Sequence, residues 1–185
     1  ELINKVINMY QWTNPLHVDL FPQIREMEAS IVSFCIDLYD GNKENCGTVT
    51  TGGTESIILA CKSHRDYYNK KYNIKEPEII APESVHVAFD KACQYLNIKL
   101  IKVPVYDDGL PLISDIKNKI NSNTILLVGS APSFPHGLMD DINLLSKVAL
   151  SYNLPLHVDA CLGGFVLAFL NRGHEFDFSI KGVTS

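Results

Sequence analysis

From Glu78 onward, short apolar runs alternate with segments of helical spacing, and this alternation decides the fold class. The runs at 78–81, 99–105, 124–129 and 154–158 have strand length. Between them, 84–96, 112–120 and 141–152 repeat apolar residues with a helical period. In 84–96 that period puts Ala88, Ala92, Tyr95 and Leu96 on the buried side. Strands separated by helices cannot pair as tight hairpins. The expected architecture is therefore α/β, a mainly parallel (mixed) sheet flanked by helices. Upstream, 54–72 carries Ile57, Ile58, Cys61 and His64 on one helical stripe. Segment 23–39 has apolar residues at 24, 27, 31, 34, 35 and 38, with Gly41 as its stop. Residues 4–11 are mixed, and 13–22, with two prolines, reads as an ordered loop. The expected division is an N-terminal loop and helix segment, 1–48, leading into a main domain, 49–185, incomplete at its C-terminal end.

Composition excludes several classes of function. Hydrophobic residues make up 46% of the 185, with both charge signs interspersed, so the chain is globular. A net charge of −5 leaves no basic stripe for nucleic acid. The longest apolar run, 161–170, is far short of the ~18 residues that a membrane span needs. Five cysteines, an odd number with no CxxC pair, read as reduced thiols in a domain facing the cytosol. The chain opens on Glu1 without an initiator Met and closes on Gly-Val-Thr-Ser, which reads as a piece of a longer protein.

Parallel sheets collect ligands at the carboxyl ends of their strands. Four segments stand there. Thr50-Thr51-Gly52-Gly53-Thr54-Glu55-Ser56 opens a helix. Paired glycines let a ligand approach the backbone, and the helix start offers free N–H groups, so Gly52, Gly53 and Thr54 suit a phosphate; a tight turn with a Thr cap is the plainer reading. Asp159 closes an apolar strand ahead of Gly163-Gly164. It can cap a turn, bind a metal with His157, or pair with a protonated ring nitrogen; no third metal ligand stands at a fixed spacing. His86, close to the same edge, can stack on a flat ring or be structural. The Ser130–Gly137 loop, with two prolines and His136, can form a wall of the crevice or be an ordinary connection.

Taken in order, Asn-Pro-Leu-His, Thr-Gly-Gly-Thr-Glu-Ser, Ser-x-His-x-Ala-Phe, Phe-Pro-His-Gly and His-Val-Asp-Ala-Cys-Leu-Gly-Gly resemble the group II decarboxylase-like, fold-type-I pyridoxal-phosphate (PLP) enzymes. Within them, Cys161-Leu162 before the glycines and the Pro-Ser-Phe-Pro-His-Gly loop resemble the sphingosine-1-phosphate lyases; Val18, where those lyases carry Pro, departs from them. The resemblance implies a PLP-binding large domain. It implies that Gly52, Gly53 and Thr54 hold the cofactor phosphate, that His86 stacks on the pyridine ring and that Asp159 pairs with its nitrogen. It implies that Asn14 and His17 lie on the phosphate side of the substrate, with His136 in a neighbouring wall. The implied reaction cleaves a phosphorylated long-chain (sphingoid) base into a long-chain aldehyde and phosphoethanolamine. The implied setting is a homodimer anchored at the endoplasmic reticulum membrane, its catalytic domain facing the cytosol. No catalytic residue is assigned in this chain: the Schiff-base lysine is expected in a His-Lys pair beyond Ser185, and Lys181 does not match it. The isolated chain is therefore expected to be inactive. The alternatives are an amino-acid decarboxylase of the same fold and a non-catalytic or degenerate copy.

Overall fold

The computed structural model describes residues 1–170 and 175–185. It divides into two compact units, Glu1–Leu38 with Asn42–Val49, and Tyr39–Gly41 with Thr50–Ser185.

The first unit holds two helices, α1 (Leu2–Tyr10) and α2 (Pro22–Leu38). The mixed reading of 4–11 is corrected: Leu2, Ile3, Val6, Ile7 and Tyr10 share one face at helical spacing, masked in the sequence by the polar residues between them. Neither helix has a buried residue. Helix α2 ends at Leu38, and Asp40 rather than Gly41 takes the left-handed conformation after it, φ 51°.

The second unit is built on a parallel sheet. Strands β1 (Glu78–Pro82), β2 (Lys99–Val103), β3 (Thr124–Ser130) and β4 (Leu156–Asp159) lie in the order β2-β1-β3-β4. Every residue of β1 and β3 is buried, as continuous apolar strands covered on both faces require. Strand β2 stops at Val103, two residues short of the expected end, because Pro104 has no N–H for the ladder. Gly182–Ser185 runs beside β4: Val158 N donates to Ser185 O at 2.9 Å and Thr184 N to Leu156 O at 2.9 Å.

Helices cover both faces. On one, α3 (Gly53–Tyr72) and α4 (Ala88–Leu96) pack Ile57, Cys61, Phe89 and Ala92 against Ile79, Ala81, Leu126 and Val128. On the other, α5 (Ile113–Lys119) and α6 (Ile142–Ser151) pack Ile116, Ile142, Leu145 and Val148 against Ile80, Leu127, Leu156 and Val158. A short helix, α7 (Gly164–Leu167), follows β4. Two expectations about 84–96 change. Its helix starts at Ala88, because Glu83 N still donates to Val103 O and Val85 N closes a turn on Pro82 O. Tyr95 is 66% exposed, its ring under the Lys91 ammonium at 5.6 Å, while Phe89 and Cys93 fill the core.

The chain passes from β1 out to β2, then back across β1 to β3. This reversal leaves a crevice at the carboxyl ends of β1 and β3. Among the described residues, no helix is long and apolar enough to cross a membrane.

Candidate active site

A cavity of about 330 Å³ opens at that crevice, lined by Gly53, Thr54, His86, Phe134 and Asp159 with Ile57, Ser130, Pro132, Cys161 and Leu162. A second, of about 490 Å³, lies against it and shares Gly53, Ile57, Asp159 and Cys161; Gly52, His157 and Ser185 border this one. Segments spread from residue 53 to residue 162 thus converge on one place.

The α3 end of the cavity is shaped by its glycines. Gly52 sits at φ 151°, outside the range that side chains favour, and a Cβ on Gly53 would stand 3.2 Å from Cys161 Sγ. The first N–H groups of a helix have no intrahelical acceptor, and here no side chain caps them. Glu55, the one acidic residue in the first turn, is turned back instead: its Oε2 accepts from Thr51 N and Thr51 Oγ1, both at 2.6 Å. Those bonds, the hydroxyl first, hold its carboxyl below the usual range. Thr50 Oγ1 and Ser56 Oγ stand 2.7 Å apart at the same end.

Asp159 closes β4. Its Oδ1 accepts from Cys161 N at 3.1 Å, so the turn-capping role read from the sequence is present. Among the described residues Oδ2 accepts nothing, and the residue lines both cavities. One oxygen fixes the carboxylate while the other is open to a partner. His86 is exposed and fixed in the same way: Ala88 N donates to its Nδ1 at 3.1 Å, and its ring meets Phe134 edge-on at 6.3 Å.

The 131–139 loop is tied at its neck. Ser130 N donates to Asp140 Oδ2 at 2.7 Å, and Asp140 N returns a bond to Ser130 O at 3.0 Å. Asp140 is buried, which pushes its carboxyl up to about 6. The loop brings Pro132 and Phe134 to the cavity. His136 itself lies elsewhere, its Cγ 4.0 Å from where a Cβ on Gly109 would stand. Asn14 and His17 belong to the first unit, where Asn14 Oδ1 accepts from Leu16 N at 3.0 Å.

The loop lies directly on Gly163, after β4. A Cβ on Gly163 would stand 2.5 Å from Ala131 O and 2.5 Å from Pro132 Cδ. Backbone cannot yield there as a flexible side-chain tip can. Gly163→Ala in the full-length protein is therefore expected to cost about 1–3 kcal/mol. Urea unfolding measures it, and an unchanged midpoint would show that the loop moves freely.

Asp140 and the pairing of His64 with His157 went unread in the sequence. Asp140 was masked by its neighbour Asp141, the cap of α6. His64 and His157 share one partner: His64 Nε2 lies 3.0 Å and His157 Nδ1 2.9 Å from Ser185 Oγ. Burial pushes both imidazoles down to about 4, and His64 is lowered further by His157. Among the described residues, no group of three or more His, Cys, Asp or Glu is placed to hold a metal, and no lysine lines either cavity.

Sphingosine-1-phosphate lyase of Drosophila melanogaster is 48% identical over the whole chain, which spans 35% of that relative. The Arabidopsis thaliana sphingosine-1-phosphate lyase is 50% identical, again over the whole chain and 36% of the relative. The chain thus spans about a third of the length of the curated relatives it matches. The solved sphingosine-1-phosphate lyase of Burkholderia pseudomallei superposes on 99% of the chain with a TM-score of 0.92 at 31% identity, over 45% of its own length. The model of the pyridoxal-dependent decarboxylase conserved domain matches residues 2–185, so both units and every residue of the crevice fall within it, and the chain belongs to the pyridoxal-dependent decarboxylase family.

Proposed function

We propose that the protein carrying this chain is a PLP-dependent carbon–carbon lyase that cleaves phosphorylated long-chain bases to a long-chain aldehyde and phosphoethanolamine. The observation that carries this reading is the convergence of Gly53, Thr54, His86 and Asp159 on one crevice. The choice of substrate is supported by the 40–50% identity to sphingosine-1-phosphate lyases from fly, plant and slime mould.

The residues present fit the cofactor. The uncapped N–H groups of Gly53 and Thr54, at the positive end of α3, would take its phosphate, and Gly52 keeps the approach open. The free oxygen of Asp159 would hold a proton on the ring nitrogen, since a carboxylate there favours the charged form. His86, fixed by its bond from Ala88, would flank the ring. When bound, PLP supplies an electron sink for the bond that breaks. Ile57, Phe134 and Leu162 give the same space an apolar lining. Asn14 and His17 are proposed to receive the substrate phosphate, and His136 to stand in the outer wall. The amine-accepting lysine is assigned to the rest of the protein.

A homodimer fits the exposed apolar residues of α1, where Leu2 and Ile3 are 74% and 73% accessible. We further place the protein at the endoplasmic reticulum membrane with this domain facing the cytosol, a reading with which five free cysteines agree.

Products decide between the lyase and a decarboxylase. The full-length protein given a phosphorylated long-chain base is expected to yield aldehyde and phosphoethanolamine in equal amounts. Carbon dioxide from an amino acid, without aldehyde, would support the decarboxylase instead; no turnover of either would support a degenerate copy.

A further inference from the structure

The bridge among Ser185, His64 and His157 joins three parts of the chain that sequence keeps far apart, 121 and 28 residues from the shared serine. A serine hydroxyl has one hydrogen, so it donates to one imidazole and accepts from the other. The accepting ring must then be neutral at that nitrogen, and the two rings take opposite roles at the shared oxygen. Neutral imidazoles are what their burial enforces. The serine is itself fixed, because its carbonyl accepts from Val158 N at 2.9 Å, between His157 and Asp159.

The elements so joined are those that grip the cofactor. His64 belongs to α3, whose first residues are Gly53 and Thr54. His157 stands two residues before Asp159 on the same face of β4. The Phe89 ring closes on His157 edge-first at 5.9 Å, which leaves that imidazole little room to turn. The PLP ring is rigid, and its phosphate hangs from a short arm meta to the ring nitrogen, which confines the separation of the two groups. Holding both ends at once demands a fixed spacing between the α3 terminus and the Asp159 carboxylate.

We propose that Ser185 is a positioning residue: through His64 and His157 it sets the distance between the phosphate-binding end of α3 and Asp159, and so lets the two ends of the cofactor be held together. The proposal rests on the reading of Gly53, Thr54 and Asp159 as the cofactor's grip.

The test compares two ligands of the full-length apoprotein, PLP and pyridoxal, which lacks the phosphate. Each is titrated by its absorbance, and apoprotein Tm is recorded alongside. In Ser185→Ala, PLP is expected to bind about tenfold more weakly, the size of one well-made hydrogen bond, with pyridoxal within twofold of its original affinity. A general loosening of the fold would weaken both alike. Equal weakening of the two ligands, or no weakening of PLP, overturns the proposal. Should Ser185→Ala fail to fold, His64→Leu cuts the bridge on the α3 side only and is judged by the same ratio. Failure of the unmodified apoprotein to bind PLP would instead overturn the cofactor reading itself.

Discussion

Asp159→Asn is expected to lower kcat of the full-length enzyme by roughly 10–10³ while leaving the apoprotein folded. The two effects separate because the two carboxylate oxygens have different duties. Oδ1 accepts from Cys161 N, and an amide oxygen accepts equally well, so the turn after β4 persists. What the substitution removes is the negative charge at the free oxygen. A neighbouring opposite charge moves a pKa by about 1–3 units, so the protonated fraction of the ring nitrogen falls by a comparable power of ten. Steady-state kcat with apoprotein Tm measures both sides. Asp159→Ala should lose the same activity and also about 1 kcal/mol of stability with the cap. A fivefold or smaller loss of kcat in Asp159→Asn would remove Asp159 from the role proposed for it.

The second large effect is on acid stability. His64 and His157 titrate near 4 in the folded protein and near 6.5 when unfolded. Between those values the unfolded chain binds two protons that the native state refuses. Stability is therefore complete above about pH 6.5 and falls as pH drops toward 4. Over the two units from 6.5 to 4.5 each histidine contributes on the order of 2.7 kcal/mol, roughly 5 kcal/mol together. Asp140 acts in the opposite sense: its carboxyl, raised to about 6, keeps a proton that the unfolded group releases, so its contribution grows as pH falls. Comparison with a variant isolates the histidines. Between pH 7 and 4.5 the unmodified protein should lose roughly 5 kcal/mol more, by urea unfolding, than the His64→Gln/His157→Gln double variant. Parallel losses would mean that the two rings are already protonated or solvated in the native state.

The parallel sheet was legible because its strands announce themselves. Ile79-Ile80-Ala81 and Ile125-Leu126-Leu127-Val128 are apolar on both faces, which only a covered sheet tolerates. The Gly52-Gly53-Thr54 and Asp159 segments were legible for a related reason, since each stands where a strand or helix must end. The start of α4 was not. Val85 and Ala88 fit a helical period, but Glu83 is held in the turn after β1, with Val105 N donating to its Oε1 at 3.1 Å, and His86 lies just before the helix. Helix α1 escaped notice because nine residues give a period little room to repeat. The Ser185 bridge had no sequence signal at all. Its partners lie at positions 64 and 157, and only the folding of α3 onto the sheet brings them to one oxygen.

One crevice, at the carboxyl ends of β1, β3 and β4, is proposed as the cofactor site. A crystal structure of the full-length protein with PLP tests it most directly. The phosphate is expected on the N–H groups of Gly53 and Thr54, the ring nitrogen on Asp159 and the ring face against His86. A cofactor bound elsewhere, or one whose ring nitrogen finds a partner other than Asp159, would contradict it.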